Sequence, residues 1–552
     1  MSRSPETRAN DPSSRPPTLA AFLAGLADQH GEREAVVFED RRWTYAKLAG
    51  EAARVASGLD ELGVRPGERI GVLLPNWPEF LACVFGITTI GAVAVGINTL
   101  STEAELAYAL ELAEVRSLIY TPRFLRHDYQ AMLDQIAAPS STPGEARAPL
   151  RLDRRIVVGN DPAVPRDALR YAALGRGQTG GGAAALRALD RATSDTLAMM
   201  FFTSGSTARP KAVLHAHRAL LYQACVASER FGLTSDDRAL CYLPMFFTGG
   251  LALVALIVLA QGGLLVLQDH FEAGHALELM ERERTTFYAG WQFAPRLCAH
   301  ESFPRRRLQL RKGIFTDVPE ARKLLRPDNV TVGAYGMSET ATLCCSGRWN
   351  DPIELRQRGF GQPLPGVDVR ILDPETGAQL GPGQVGEIAL RHPAAMLGYL
   401  GVPREETFDA DGFFHTGDYG RLDETGSLRF DGRLKEVIRT AGVKVAAAEI
   451  ENFLERQAGI AAAYVVPVPH PERAENIAAF VVPREPDGLD VDGLLAICRR
   501  DLASYKIPRH LFVLAPNEVP RTGTEKVDKP ALRRQAAELA GGPTDLLAAR
   551  RA

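Results

Sequence analysis

The chain has 552 residues, 45% of them hydrophobic and 24% charged, with a formal net charge of −3 at pH 7. Such a length supports several cores, and the composition is that of an ordinary globular protein. The near-neutral balance lacks the concentrated basic face that nucleic acid or an anionic membrane selects, so neither is expected as a partner. Seven cysteines, with Cys344 and Cys345 adjacent and no C-x-x-C pair, fit neither a disulfide framework nor a zinc site. A reducing, cytoplasmic setting is the simplest expectation.

Residues 1–17 are polar and proline-rich without the apolar run of a secretory signal, and read as a disordered tail. Apolar runs at Ile70–Leu74, Gly91–Val95 and Ser117–Tyr120 then alternate with helix-like stretches, which predicts an α/β chain with substantial parallel sheet. The Ala/Gly/Pro-rich pieces Ala138–Ala148 and Gly175–Ala185 read as loops around a strand at Arg155–Val158. Leu251–Ala260, the most apolar run, is cut by Gln261-Gly262-Gly263, too early to span a bilayer, which takes ~20 residues. It reads as a buried helix leading into a strand at Leu264–Leu267, and no membrane span is expected.

After Gly377 the texture changes to short strands punctuated by turns, including Gly386–Leu390 and Ser427–Phe430, which predicts a smaller β-rich subdomain. A boundary is expected at Asp431-Gly432-Arg433, followed by helix at Ala447–Gln457 and strands at Ala461–Val468 and Ile477–Val482. The division is then a large N-terminal domain over 18–432, a compact α+β domain over 433–535 and a tail over 536–552.

The most informative stretch is Phe201-Phe202-Thr203-Ser204-Gly205-Ser206-Thr207-Ala208-Arg209-Pro210-Lys211. Hydroxyl side chains around a glycine, with backbone N–H groups left open by Gly205, make a cradle for phosphoryl oxygens, and Lys211 adds point charge. A ligand-free polar turn is the plainer identity. Pro210 and Ala212 flank the lysine where a Walker A loop needs Gly and Ser or Thr, so that motif is excluded. Gly336-Met337-Ser338 approaches the hydrolase elbow G-x-S-x-G, but Thr340 replaces its last glycine.

The phosphate stretch resembles the signature of the adenylate-forming (acyl-activating) enzymes, which include acyl-CoA ligases. Further matches follow in that family's order: Tyr335–Thr340, Gly386-Glu387-Ile388, Thr416-Gly417-Asp418, Gly432–Glu436 and Pro520–Lys526. The similarity begins near Trp43-Thr44-Tyr45 and Leu74-Pro75-Asn76 and runs to about Leu532. It implies a large N-terminal portion and a small mobile lid hinged at Lys435. It implies ATP, Mg²⁺ and coenzyme A as cofactors or co-substrates, and a carboxylic acid as substrate. The acid would attack the α-phosphorus of ATP, expel pyrophosphate and leave an acyl-adenylate that a thiol captures.

By the same resemblance, Thr203, Ser204, Gly205, Ser206, Thr207 and Lys211 handle phosphates, Tyr335, Gly336 and Ser338 line the nucleotide, and Glu339 is the Mg²⁺-associated acid. Asp418 accepts from the ribose hydroxyls, assisted by Arg433, and Lys526 bridges the incoming carboxylate and the α-phosphate. Gly442 and Lys444 would replace Lys526 for the second step, Gly442 allowing close passage of a pantetheine arm. Without the resemblance, Glu339 and Asp418 would read as helix caps or exposed acids, and Lys526 as a surface lysine.

Phe246, Phe247, Trp291 and Met337 fall where the family lines its acyl pocket, with Phe247 where it often has His. An aromatic wall predicts a hydrophobic organic acid, although core packing is the other use of such residues. Three signatures depart: Ala208 stands for a glycine, Thr316-Asp317-Val318-Pro319 for Gly-Gly-Ala-Pro, and Glu525 for the glycine before the lysine. They leave open an enzyme confined to thioester formation from an adenylate made elsewhere. A non-catalytic binding protein on the same fold is opposed by the joint presence of Glu339, Asp418, Arg433 and Lys526. A carrier protein acting in trans is the alternative acceptor to CoA.

Overall fold

The computed structural model describes residues 15–138, 150–159, 161, 164, 168–177, 181–203, 210–290, 293–314, 321–324, 330–356, 359–433, 437–440, 443–470, 474–485, 489–502, 506–521 and 527–540. The chain folds as two compact units. One runs to Val369 and adds Leu390–Phe414 and Gly426–Leu428; the other holds Arg370–Ala389, His415–Thr425 and everything from Arg429.

Apolar, β-branched runs in the first unit pair into two large sheets. The eight-stranded sheet runs in the order Gly398–Tyr399, Lys211–Ala216, Leu197–Thr203, Val93–Gly96, Arg69–Leu73, Ser117–Tyr120, Arg154–Val157 and Leu169–Arg170. Its interior is parallel, and only the first two pairings are antiparallel. The seven-stranded sheet runs Val330–Val332, Lys312–Ile314, Phe287–Ala289, Arg238–Cys241, Leu264–Leu267, Glu34–Phe38 and Arg41–Thr44. Parallel strands buried on both faces need continuous apolar sequence, which the fully buried Leu264–Leu267 and Ser117–Tyr120 supply.

Helices close the core between the strands. Pro78–Thr89 is buried along its whole length, and a Cβ at Gly86 would come within 2.7 Å of Ala52 O and of Val55 on the helix Tyr45–Glu61. Glycine there lets the two backbones approach. Thr44 caps that second helix by accepting from Lys47 N–H.

The second unit contains a five-stranded sheet in which Ala474–Pro483 is central and pairs antiparallel along most of its length with the edge strand Ile460–His470. Alternation sends Val465, Ala479 and Val481 to one face with Ile450, Leu454 and Leu495, and Val466, Phe480 and Val482 to the other with Leu532 and Ala536.

Several readings are corrected. Gly182–Leu189, partly inside a stretch read as loop, is a helix with Leu186 buried, because Ala-rich sequence favours helix once one side chain anchors it. The apolar run from Leu251 is instead borne out as a buried helix leading into Leu264–Leu267, with a π-helical opening turn, Leu251–Ala255, before the α-helix Leu256–Leu259. Within the stretch read as an N-terminal tail, the Arg15 guanidinium lies 4.9 Å over the Tyr222 ring. Helix Lys529–Ala540 carries the buried Ala536 into the stretch read as the C-terminal tail. The expected loop over 139–148 and the hinge Lys435 lie outside the described residues. Among those residues no helix is long and apolar enough to cross a membrane.

One buried ion pair gives a pH-dependent test. Asp237, 1% exposed, takes Lys312 Nζ at 2.6 Å and the Thr286 hydroxyl at 2.7 Å. Burial alone would raise its carboxyl, but the hydrogen bond and charge of Lys312, with Thr286 and the Thr234 N–H, hold it below the usual range. A depressed folded-state carboxyl stabilises above its unfolded value, near ~4, and that stability is lost as pH falls through the folded value. Asp237→Asn is therefore expected to lower stability at pH 7 by about 3–5 kcal/mol, since it leaves Lys312 buried without its counter-charge. It should also flatten the wild-type loss of stability below about pH 4, read from denaturant midpoints across pH.

Candidate active site

The phosphate stretch begins and ends on neighbouring antiparallel strands, with Thr203 opposite Lys211. Thr203 is half-buried and Lys211 exposed, and Tyr108 O–H donates to Pro210 O at 3.2 Å, fixing the outgoing end. On the far side of the Lys211–Ala216 strand, Tyr399 pairs opposite Val213. Lys211 and Val213 share a face, so Lys211 is the diagonal neighbour of Tyr399, and its Nζ lies 4.6 Å from that ring's centre.

The Tyr399 hydroxyl donates to Glu339 Oε1 at 2.6 Å. Burial, then the adjacent carboxylate, pushes the phenol far above its ordinary range, so it stays protonated. Glu339 sits in a 3-10 turn, Ser338–Thr340, between the paired strands Ala334–Met337 and Thr342–Ser346. It is half-buried and acts as an acceptor, neither capping a helix nor standing free in solvent.

This turn is strained and firmly held. Ala341 and Thr342 have φ of 53° and 123°, unfavourable for side-chain-bearing residues and worst for a β-branched one. Its carbonyls are gripped from the core. His215 Nε2 donates to Ser338 O at 2.7 Å, Gln223 Nε2 to Thr340 O at 2.9 Å and also to Leu343 O, and His392 Nε2 to Leu343 O at 2.9 Å. Burial drives His215 down to about 4 and His392 to about 3, so both are neutral near pH 7. His392 Nδ1 accepts from Ala394 N–H, which places its proton on Nε2. His217, driven down to about 4 by burial, accepts from Leu19 N–H and belongs to the core. A Cβ at Gly336 would collide with Thr342 O, so only glycine allows this register beside the buried Tyr335.

Phe246 is buried and Phe247 half-buried, their ring centroids 4.6 Å apart. The segment before them is tied down by Asn76, whose amide donates to Cys241 O, Leu243 O and Gln268 O and accepts from Met245 N–H. Thr248, the next residue, reaches Ser338 Oγ at 3.4 Å, so the aromatic pair adjoins the Glu339 turn, which also carries the half-buried Met337.

In the second unit Asp418 lies within the strand Phe414–Leu422, which removes the helix-cap reading. It is 4% exposed and its Oδ1 is 3.2 Å from Arg433 Nε. The preceding Gly417 has φ of 68°, and its N–H donates to Glu387 Oε1 while Thr416 Oγ1 donates to Ile388 O at 2.7 Å. Lys444 lies on the strand Val443–Ala446, opposite Arg439.

Ser204, Gly205, Ser206, Thr207, Ala208, Trp291, Thr316, Asp317, Gly442, Glu525 and Lys526 lie outside the described residues. Sequence reasoning missed Tyr399, Gln223 and His392, which carry no local signal. Glu387 was visible in Gly386-Glu387-Ile388 but without a role.

The strands carrying Thr203 and Lys211, the Glu339 turn held by Tyr399 and, in the other unit, the buried strand aspartate paired to arginine are the features expected of an adenylate-forming enzyme. The chain belongs to the AMP-binding enzyme family, whose profile matches residues 24–400, with the AMP-binding enzyme C-terminal domain matching 449–526. A 3-[(3aS,4S,7aS)-7a-methyl-1,5-dioxo-octahydro-1H-inden-4-yl]propanoyl:CoA ligase of Mycobacterium tuberculosis is 33% identical, over 94% of this chain and 98% of its own. A feruloyl-CoA synthase of an Amycolatopsis species is 32% identical over 89% and 94%. The crystal structure of ATP-bound MatB from Rhodopseudomonas palustris superposes with a TM-score of 0.76 at 26% identity, covering 94% of this chain and 99% of that one. The chain is an acid–thiol ligase of the acyl-CoA synthetase type, working through an acyl-adenylate formed with ATP and using CoA as the thiol.

Proposed function

We propose that this ligase activates a hydrophobic, ring-bearing organic acid. The observation that carries the reading is the packed Phe246–Phe247 pair joined through Thr248 to Ser338, one residue from Glu339. An apolar wall beside the acidic turn favours an acid whose body is buried while its carboxylate faces the nucleotide. The two relatives named above, for a bicyclic propanoate and for ferulate, act on acids of this kind.

Each step then has its residue. Lys211 and the hydroxyls of Thr203 to Thr207 meet phosphate oxygens, Asp418 with Arg433 takes the ribose hydroxyls, and Lys526 offsets charge as the acid's oxygen bonds to the α-phosphorus and pyrophosphate departs. Gly442 and Lys444 serve the second step, in which the CoA thiolate takes the acyl carbon and AMP leaves. Among the described residues no three His, Cys, Asp or Glu side chains converge, so an all-protein metal cage is absent there. Mg²⁺ fits Glu339 all the same, because it is ordinarily held by one or two carboxylates plus substrate phosphates. When bound it would neutralise phosphate charge. All seven cysteines are free thiols, which suits a reducing cytoplasm.

The test is a panel of carboxylic acids with ATP and CoA, following pyrophosphate release and thioester by mass. Turnover of aromatic and alicyclic acids, with amino acids and short polar acids inert, is expected. Preference for a small polar acid overturns the pocket reading. Absence of pyrophosphate with every acid, alongside thioester formed from synthetic acyl-adenylate, assigns the chain to the second half-reaction alone.

A further inference from the structure

Tyr399 has no part in the chemistry above, yet it touches two groups that do. We propose that Tyr399 is a positioning residue for adenylation, holding the Glu339 carboxylate and the Lys211 ammonium apart and each aimed outward. The proposal rests on the phosphate and Mg²⁺ roles given to Lys211 and Glu339.

A hydroxyl-to-carboxylate bond of 2.6 Å is in the charge-assisted range, so Glu339 Oε1 is committed to Tyr399. Glu339 Oε2 has no hydrogen-bond partner among the described residues and is the oxygen left for a hard cation. The same segment holds the acid's backbone, since Met396 N–H donates to Glu339 O at 2.8 Å. The ring face of Tyr399 seats Lys211, an exposed side chain that would otherwise spread over many rotamers.

The ring also works as a spacer. Lys211 and Glu339 both touch this one side chain, yet no ion pair joins them among the described residues. A direct pair would neutralise both groups before ATP arrived, whereas with Tyr399 interposed the lysine stays available to phosphate and the carboxylate to the metal. The tyrosine is itself fixed, because Leu397 N–H and Leu400 N–H on either side bond to Leu214 O and Ala212 O across the sheet edge.

Tyr399→Phe keeps the ring and removes the hydroxyl, and Tyr399→Leu removes both. Equilibrium binding of Mn²⁺·ATP without acid, followed by Mn²⁺ paramagnetic resonance, reads the site apart from turnover. Tyr399→Phe is expected to weaken that binding and slow pyrophosphate exchange by about tenfold each, and Tyr399→Leu by about a hundredfold. Thioester formation from supplied acyl-adenylate should stay within about twofold of wild type, which also reports that the variants fold. Unchanged Mn²⁺·ATP binding in Tyr399→Phe, or equal loss in both half-reactions, overturns the proposal. Glu339→Gln and Lys211→Ala separate the causes. If they impair Mn²⁺·ATP binding and Tyr399→Phe does not, only the role of Tyr399 falls; if they too leave it intact, the reading beneath it falls as well.

Discussion

Replacing Lys526 by alanine is expected to slow adenylate formation by about 100- to 1,000-fold while leaving thioester formation from supplied acyl-adenylate nearly unchanged. The first half-reaction drives a carboxylate anion onto a polyanion, and the entering oxygen and α-phosphoryl oxygens carry most of the charge at the transition state. A cation placed there stabilises that state far more than separated substrates, so its loss should appear in kcat. The second half-reaction starts from an adenylate whose phosphoryl charge is already reduced, and has no such requirement. Lys526 ends the segment matching the family's C-terminal domain. Exchange of labelled pyrophosphate into ATP measures the first step, and acyl-CoA formed from synthetic adenylate the second. Gly442→Trp should invert the pattern by blocking the thiol's approach. Equal damage to both steps by Lys526→Ala would remove the lysine from its assigned step.

Asp418→Asn is expected to raise the KM for ATP by roughly 10- to 100-fold with a smaller change in kcat. A carboxylate at this position would accept from two ribose hydroxyls at once, whereas the amide offers one neutral acceptor and turns a donor toward the second hydroxyl. At 4% exposure, Asp418 meets little competing water, which would keep such bonds strong. Fold stability should hardly move, because Arg433 is 58% exposed and its ion pair is screened by solvent. The decisive comparison uses 2′-deoxy-ATP. Wild type should lose affinity on removal of the hydroxyl, and Asp418→Asn should lose much less. Equal losses would show that Asp418 does not meet the ribose.

Legibility in the sequence followed the range of each interaction. Strands such as Arg69–Leu73 and Leu264–Leu267 were visible because an unbroken apolar run is a local property, and the structure moves their ends by a residue at most. Gly182–Leu189 was misread because glycine and alanine composition mimics a loop until Leu186 finds a core. Asp418 showed its residue type but not its setting, since Thr-Gly-Asp suits a cap or a bulged strand equally and only pairing in the Phe414–Leu422 strand decides.

From its order of residues alone, the chain specified the alternating α/β texture, the hydroxyl-rich phosphate stretch and the acids and lysines that suit adenylation, because composition and short spacing are enough to encode them. Tertiary structure alone decided that Tyr399, 60 residues from Glu339, donates to that acid and carries Lys211 over its ring. It likewise decided that His215, 123 residues from Ser338, helps hold the strained turn from beneath. Contacts over such separations depend on strand order and register, which arise only when distant segments share one buried core.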